Sequence, residues 1–283
     1  MPKIREALEL TEEQVLHFRA MACYLAGDGA PDPGAAARAI LGAQAQVQAP
    51  GLLALSQRTA GRPTAAALED ALLEQGRGLV RTWGQRDTLH IYDAAVDWAT
   101  VLAARGRWAP AGRGNVFPDE GAVDATLEVA AEAGRPITRR DVMHLVPEEY
   151  AAYMAARVGA GEAAVRAGAG RLLWRLCHRG DVCVAGKQGS EQAYATRAAW
   201  HPSLVWTTPA PSPQDAALEL ARRYLGSYGP ATAADMGHFF GARVTEARRW
   251  LARLERSEGL VQVRCGQRKG LVALAADREA LQV

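Results

Sequence analysis

Three glutamines spaced two apart, Gln44, Gln46 and Gln48, stand directly before Pro50 in the run LGAQAQVQAP, residues 41–50. A carboxamide does not titrate near neutral pH, so none of the three can serve as a general base of the Asp or Glu kind. An amide can hold a water in place and turn its carbonyl dipole toward a developing positive charge. A strand would project all three side chains from one face, whereas a helix would group Gln44 with Gln48 and turn Gln46 roughly 200° away. Pro50 disfavours helical backbone at Ala49, so the run reads as lying where a helix ends, with solvated amides as the bland alternative to chemistry.

Other chemistry-bearing residues narrow the options. His90 is a second candidate, either as a phosphate or water contact or as a histidine bonded to a neighbouring carbonyl. The remaining histidines show no metal spacing. The four cysteines, Cys23, Cys177, Cys183 and Cys265, have no CxxC pattern, so neither a zinc site nor a disulfide framework is expected, and no metal or cofactor is called for. The basic residues comprise thirty arginines and only three lysines, Lys3, Lys187 and Lys269, in a chain whose net charge is +2. Arginine suits bidentate phosphate contact, although Ala, Gly and Arg richness also follows GC-rich coding. Clusters at 105–114, 135–141, 171–180 and 242–259 allow basic faces despite the balanced total.

The elements that must position these residues are written three times over. A helical run ends in a basic or glycine turn and is followed by two short strand-like segments, at residues 64–94, 163–200 and 245–276. Strands are expected near 78–83 and 88–92, near 182–186 and 192–197, and near 260–264 and 270–274. In the third copy Thr232 can cap a helix through Phe240, Gly241 breaks it, and Thr245 can cap a second helix carrying Val244, Ala247, Trp250, Leu251 and Leu254 at helical spacing. Thr138 plays the opening role in the second copy. Helix-turn-helix followed by a hairpin is the pattern of a winged helix.

The expected fold is therefore mainly α with short β-hairpin wings, an α+β chain of tandem winged-helix modules at 1–110, 119–205 and 213–283. Loop-like composition at 104–121 and a proline-rich stretch at 206–215 separate them. No apolar run approaches the roughly 18 residues needed to cross a bilayer, and the N-terminus is charged from the start, so a cytoplasmic, membrane-free protein is expected.

Four segments together resemble the AlkZ/YcaQ family of winged-helix DNA glycosylases: LGAQAQ (41–46), LVRTWGQRDTLHIYDAAVDW (79–98), LLWRLCHRGDV (172–182) and YGPATAADMGHFFG (228–241). The family signature, Gln, a small or apolar residue, then Gln or Asp, follows Leu-Gly-x. It therefore aligns preferentially with Gln44 and Gln46, while Gln46 and Gln48 around Val47 also satisfy the spacing. The family's Arg-Gly-Thr-Leu-His appears as Arg86-Asp87-Thr88-Leu89-His90, and Asp87 in place of glycine puts the hairpin turn in question. Members also continue into a further C-terminal β-rich region, whereas this chain stops at Val283.

The resemblance implies a DNA repair enzyme acting on double-stranded DNA with alkylated bases, and three dissimilar modules in one chain point to a monomer. On that reading Gln44 and Gln46 match the catalytic signature, His90 is a further candidate beside them, and Arg58, Arg81, Arg86, Arg139, Arg140, Arg248 and Arg249 are the candidates, from this chain's own basic segments, for phosphate contact. Its substrates would be cationic alkylated purines such as 7-alkylguanine and 3-alkyladenine, or crosslinks, because alkylation makes the base a good leaving group that neutral amides suffice to release. No lysine lies in the glutamine segment to form a Schiff base, so a monofunctional glycosylase is expected. The alternative is a winged-helix transcription regulator without catalytic activity.

Overall fold

The computed structural model describes residues 7–74, 78–108, 116–206 and 211–283. In chain order the first elements are β1 (Leu8–Glu9), α1 (Glu12–Ala22), α2 (Pro33–Ala39), β2 (Ala43–Gln44), α3 (Gln48–Ser56), α4 (Ala65–Leu73), β3 (Leu79–Trp83), β4 (Leu89–Asp93) and α5 (Trp98–Trp108). Then come α6 (Glu120–Glu132), α7 (Glu148–Val158), α8 (Glu162–Arg179), β5 (Val182–Gln188), β6 (Glu191–Thr196) and α9 (Arg197–Trp200). The last are α10 (Pro213–Tyr228), α11 (Ala233–Phe240), α12 (Val244–Ser257), β7 (Leu260–Cys265) and β8 (Arg268–Leu274). The chain is mainly helical with short strands, as its composition and periodicity predict, and all six expected strands form within two residues of their expected bounds. No helix among the described residues is long and apolar enough to cross a membrane.

By compactness the chain divides into two units. One comprises Met1–Leu68, Gly84–Pro110 and Trp206–Val283, the other Glu69–Trp83 and Ala111–Val205. This grouping cuts across the division by repeated motif. It gathers the glutamine segment and the third helix–hairpin copy into one unit and leaves the second copy in the other.

In the first unit β7 and β8 form an antiparallel hairpin, and β1 adds a parallel strand with Leu8 opposite Val263. That N-terminal strand has no counterpart in the sequence reading, because two residues are too few to carry an alternation signal. Behind the sheet Leu8, Val15, Phe18, Val263, Leu271 and Leu281 make a core. α1 starts at Thr11, whose hydroxyl accepts from the Gln14 amide while the Gln14 side chain accepts from the Thr11 amide, so two orphan donors of the first turn are satisfied.

α11 opens with the same device, Thr232 with Asp235, and ends at Gly241 in the left-handed conformation, as its sequence predicts. α12 buries Ala247, Trp250 and Leu254 on one face and leaves Arg248 and Arg249 exposed. Its start differs from expectation: Arg243 occupies the cap position without a side-chain bond, and Thr245 lies inside the helix. α5 is tied to α10 by Arg223, which donates to the buried carboxylate of Asp97 at 2.7 Å and to the Arg38 carbonyl at 2.7 Å.

In the second unit β5 pairs with β6 on one side and with β3 on the other, with Arg81 opposite Val184. Thr138 and Asp141 form a capping box, but it opens a 3-10 turn over Arg139–Leu145 rather than an α-helix. The boundaries read from composition are shifted too. α5 runs to Trp108, inside the stretch expected to be loop, and α10 begins at Pro213, where proline suits the first helical position. Within those two stretches, 109–115 and 207–210 lie outside the described residues, and α6 begins at Glu120.

Candidate active site

The glutamine run does not end a helix. α2 stops at Ala39, β2 takes Ala43 and Gln44, and α3 begins at Gln48 with Pro50 in its first turn. Proline there removes an amide that has no intrahelical partner anyway, so Pro50 marks a helix start and not a helix end. Ala43 and Ala45 face the interior, and Gln44 and Gln46 face outward, the two-residue alternation of a strand. Gln48 belongs to α3 and is half-buried. The 44/46 pair therefore shares one exposed face, and Gln48 leaves that rhythm.

Gly42 sets the entry to this segment. Its φ is +94°, and a Cβ there would stand 2.2 Å from Cε1 of the buried Tyr92 ring, so only glycine fits. The Tyr92 hydroxyl donates to the carbonyl oxygen of the Gln85 side chain, whose amide nitrogen donates to the Leu41 carbonyl at 2.9 Å. Burial pushes the Tyr92 phenol far above its ordinary range, which keeps it a proton donor. Gln85 and Tyr92 thus hold the backbone just before the two amides. Neither was a sequence candidate. Nothing in their local sequence marks them out, since the wing carries many other polar side chains.

Each amide oxygen accepts from a donor that orients it. The Ala45 amide donates to the Leu89 carbonyl at 2.7 Å, and the Leu89 amide returns a bond, at 3.1 Å, to Oε1 of Gln46. Here a side-chain carbonyl takes the place of the next backbone acceptor in the ladder. Gln44 sits opposite His90 in the β2–β4 pairing, and its Oε1 accepts from Nη2 of Arg86 at 3.2 Å. The donors settle which way the amides face, because guanidinium and backbone N–H can only donate.

Arg86 and Asp87 both have left-handed backbone, φ +56° and +55°. Aspartate is one of the few residues that enters this region readily, so the turn that glycine would make survives. The Asp87 carboxylate also accepts from the largely buried Arg105 at 2.8 Å, a bond that glycine could not provide.

His90 is only 1% exposed, with Nδ1 2.9 Å from the Thr88 carbonyl and its ring stacked on Tyr92 at 5.7 Å. Burial lowers its pKa to about 4, so the ring is neutral at pH 7. A charged phosphate contact is therefore withdrawn for His90, and the carbonyl-bonded reading describes its placement.

The arginine candidates divide. Arg81 is 2% exposed on β3, and burial pulls its guanidinium below the ordinary value, so it cannot meet a phosphate from solution. Its neighbours Leu79, Val80 and Thr82 are buried as well, so β3 is covered on both faces and Arg81 with it. Arg58 is half-buried and donates to the Ala54 carbonyl. Arg139 and Arg140 lie 3.9 and 3.7 Å from the carboxylate of Glu191, which Arg166 also engages. Arg248 is exposed, and Arg249 pairs with Glu246 at 3.0 Å while staying largely in solvent. The structure thus brings Gln44, Gln46, His90 and Arg86 together in the first unit. Arg139 and Arg140 meet around Glu191 in the second.

The family model described as DNA glycosylase AlkZ-like matches residues 37–282. The chain belongs to the AlkZ-like DNA glycosylase family. An interstrand DNA cross-link repair glycosylase of Streptomyces sahachiroi is 27% identical over 203 residues, 69% of this chain and 52% of that protein. This AlkZ-like chain therefore spans about half the length of the curated relative it matches. Among solved structures, the Streptomyces sahachiroi DNA glycosylase AlkZ superposes with a TM-score of 0.73 at 23% identity, covering 98% of this chain and 73% of that one. That likeness carries the AlkZ-like fold, helices with small sheets, through almost the whole chain.

Proposed function

We propose that this AlkZ-like chain hydrolyses the N-glycosidic bond of cationic alkylated purines in duplex DNA, with Gln44 and Gln46 placing the water. The observation that carries this reading is the exposed amide pair on one face, each side-chain oxygen accepting from a donor that fixes its direction. A preorganised pair loses little freedom when it captures water, and orientation of the attacking group is a large part of such catalysis. The second lone pair of Gln44 Oε1 accepts a hydrogen bond from the water and so orients it as positive charge develops on the sugar. Water oxygen bonds to C1′ as the C1′–N bond breaks. The bond electrons neutralise the departing cationic base, and the water's surplus proton passes to solvent. No group in the pair needs to titrate.

The helix–hairpin copies at 1–110, 119–205 and 213–283 act in this reading as tandem winged helices that grip the duplex through arginines, with Arg58, Arg139, Arg140, Arg248 and Arg249 as candidate contacts. Three dissimilar modules suit an asymmetric monomer, and no lysine stands in the segment for lyase chemistry. A crosslink is a further substrate to test, since the curated relative bears that activity in its name. The deciding measurement is release of 7-methylguanine from methylated duplex DNA, scored as free base and abasic sites, by the wild type and Gln46→Ala. We expect the variant to lose about 10²-fold in single-turnover rate, on the scale of a misplaced reacting group. Equal rates remove Gln46 from the mechanism, and no release by either protein removes the glycosylase reading.

A further inference from the structure

Arg86 stood among the residues expected to grip phosphate, yet its terminal nitrogens are both engaged within the protein. Nη2 donates to Oε1 of Gln44 at 3.2 Å, and Nη1 donates to the carbonyl of Phe239, the penultimate residue of α11, at 2.9 Å. Its guanidinium carbon stands 5.9 Å from the Phe239 ring centroid. The turn between α11 and α12 also presses on the Arg86 backbone: a Cβ on Gly241 would lie 3.2 Å from Arg86 Cα and 3.3 Å from Cγ. Asp87, next in sequence, is held by Arg105. A long side chain that leaves left-handed backbone and is tied at both ends is poorly placed to search for a phosphate, and well placed to hold two elements in register.

From this we infer that Arg86 is a positioning residue: it orients the Gln44 amide and links that amide to the α11–α12 turn, so that loading α12 is felt at Gln44. A guanidinium only donates, so it fixes Oε1 toward itself and turns the amide NH2 group away. The exposed Arg248 and Arg249 lie on α12, so DNA pulling on this helix would act on the turn that Arg86 grips. The catalytic part of the inference rests on the glycosylase reading, whereas the coupling does not.

Two roles for Arg86 make opposite predictions. As a positioning residue, Arg86→Ala lowers the single-turnover excision rate at saturating enzyme by tenfold or more. Its Kd for undamaged duplex stays within twofold, and the slope of log Kd against log salt is unchanged. As a phosphate contact it weakens Kd and reduces the slope by about one with the saturated rate intact, which overturns the proposal. Arg86→Lys, which retains charge without the two-pronged fork, is expected to follow Arg86→Ala and serves if the alanine variant does not fold.

The coupling is read without DNA chemistry, from the side-chain amide resonances of Gln44 in 15N-glutamine-labelled protein, assigned by their loss in Gln44→Asn. Gly241→Ala, which pushes on Arg86 from the turn, is expected to shift them. Unmoved Gln44 resonances in Gly241→Ala overturn the coupling. Should the wild type release no alkylated base, the glycosylase reading fails and the resonance experiment still decides this one.

Discussion

Acidification from pH 7 to pH 5 tests the neutral, buried state of His90. An exposed histidine titrates near 6.5, and in the folded chain burial brings this one to about 4. As the pH falls, the unfolded chain takes up a proton that the folded chain refuses. Stability from this group is complete above about pH 6.5 and is lost as the pH falls toward 4. The full interval of about 2.5 units corresponds to roughly 3.4 kcal/mol, and the part between pH 7 and 5 to about 1.8 kcal/mol. Urea unfolding of the wild type and His90→Asn at both pH values isolates the effect, because other titrating groups cancel in the difference. Asparagine can keep a donor toward the Thr88 carbonyl, which His90 Nδ1 approaches at 2.9 Å. The wild type should lose about 1.8 kcal/mol more than the variant on acidification. Parallel pH dependence of the two proteins would show that His90 is solvated or charged in the fold, and the argument against a charged phosphate contact would fall with it.

Three further outcomes follow from the same geometry. Gly42→Ala forces a methyl against the Tyr92 ring at a positive φ, so we expect a loss of at least about 2 kcal/mol in thermal or urea stability, and an unchanged midpoint would refute the packing account. Asp87→Asn preserves tolerance of left-handed backbone but removes the charge facing Arg105 across a half-exposed pair, so stability should drop by about 1 kcal/mol at low salt and less at high salt. Arg248→Ala should weaken duplex binding and lower the salt slope by about one, while Arg81→Met should leave the slope alone and alter stability; a reduced slope in Arg81→Met would contradict its burial.

Much of the architecture was legible because it was written in local chemistry. The capping residues Thr232 and Thr138 and the breaker Gly241 act through neighbours three or four positions away, and hairpin strands announce themselves by runs of β-branched and apolar residues. The failures share a cause as well. Pro50 reads the same whether a helix is ending before it or starting around it, and only the pairing of Ala43 with Ile91, 48 positions downstream, decides for a strand. Arg81 could not be told from a surface arginine because its strand is covered on both faces, and the partner strand that helps cover it, β5, lies about a hundred positions downstream. Arg86 seemed one more cation in a basic wing. Its partners, Gln44 and the Phe239 carbonyl, are separated from it by 42 and 153 positions, a distance over which composition and periodicity carry no information.

The neighbourhood of Gln44 also explains why an amide, rather than a carboxylate, suits this position. A glutamate there would meet Arg86 as a charge-assisted pair, and the guanidinium would hold its carboxyl in the ionised form with a depressed pKa, which makes a poor proton acceptor. On the proposed reading it would also place a negative charge on the face that receives the DNA backbone, adding repulsion there. The amide keeps the anchoring hydrogen bond and avoids both penalties. What it gives up is basicity, and a leaving group that already carries positive charge does not require a strong base to depart. In the proposed reaction the uncharged pair and a cationic substrate go together: a neutral purine, lacking that charge, would demand a proton donor or a stronger base than Gln44 and Gln46 can be.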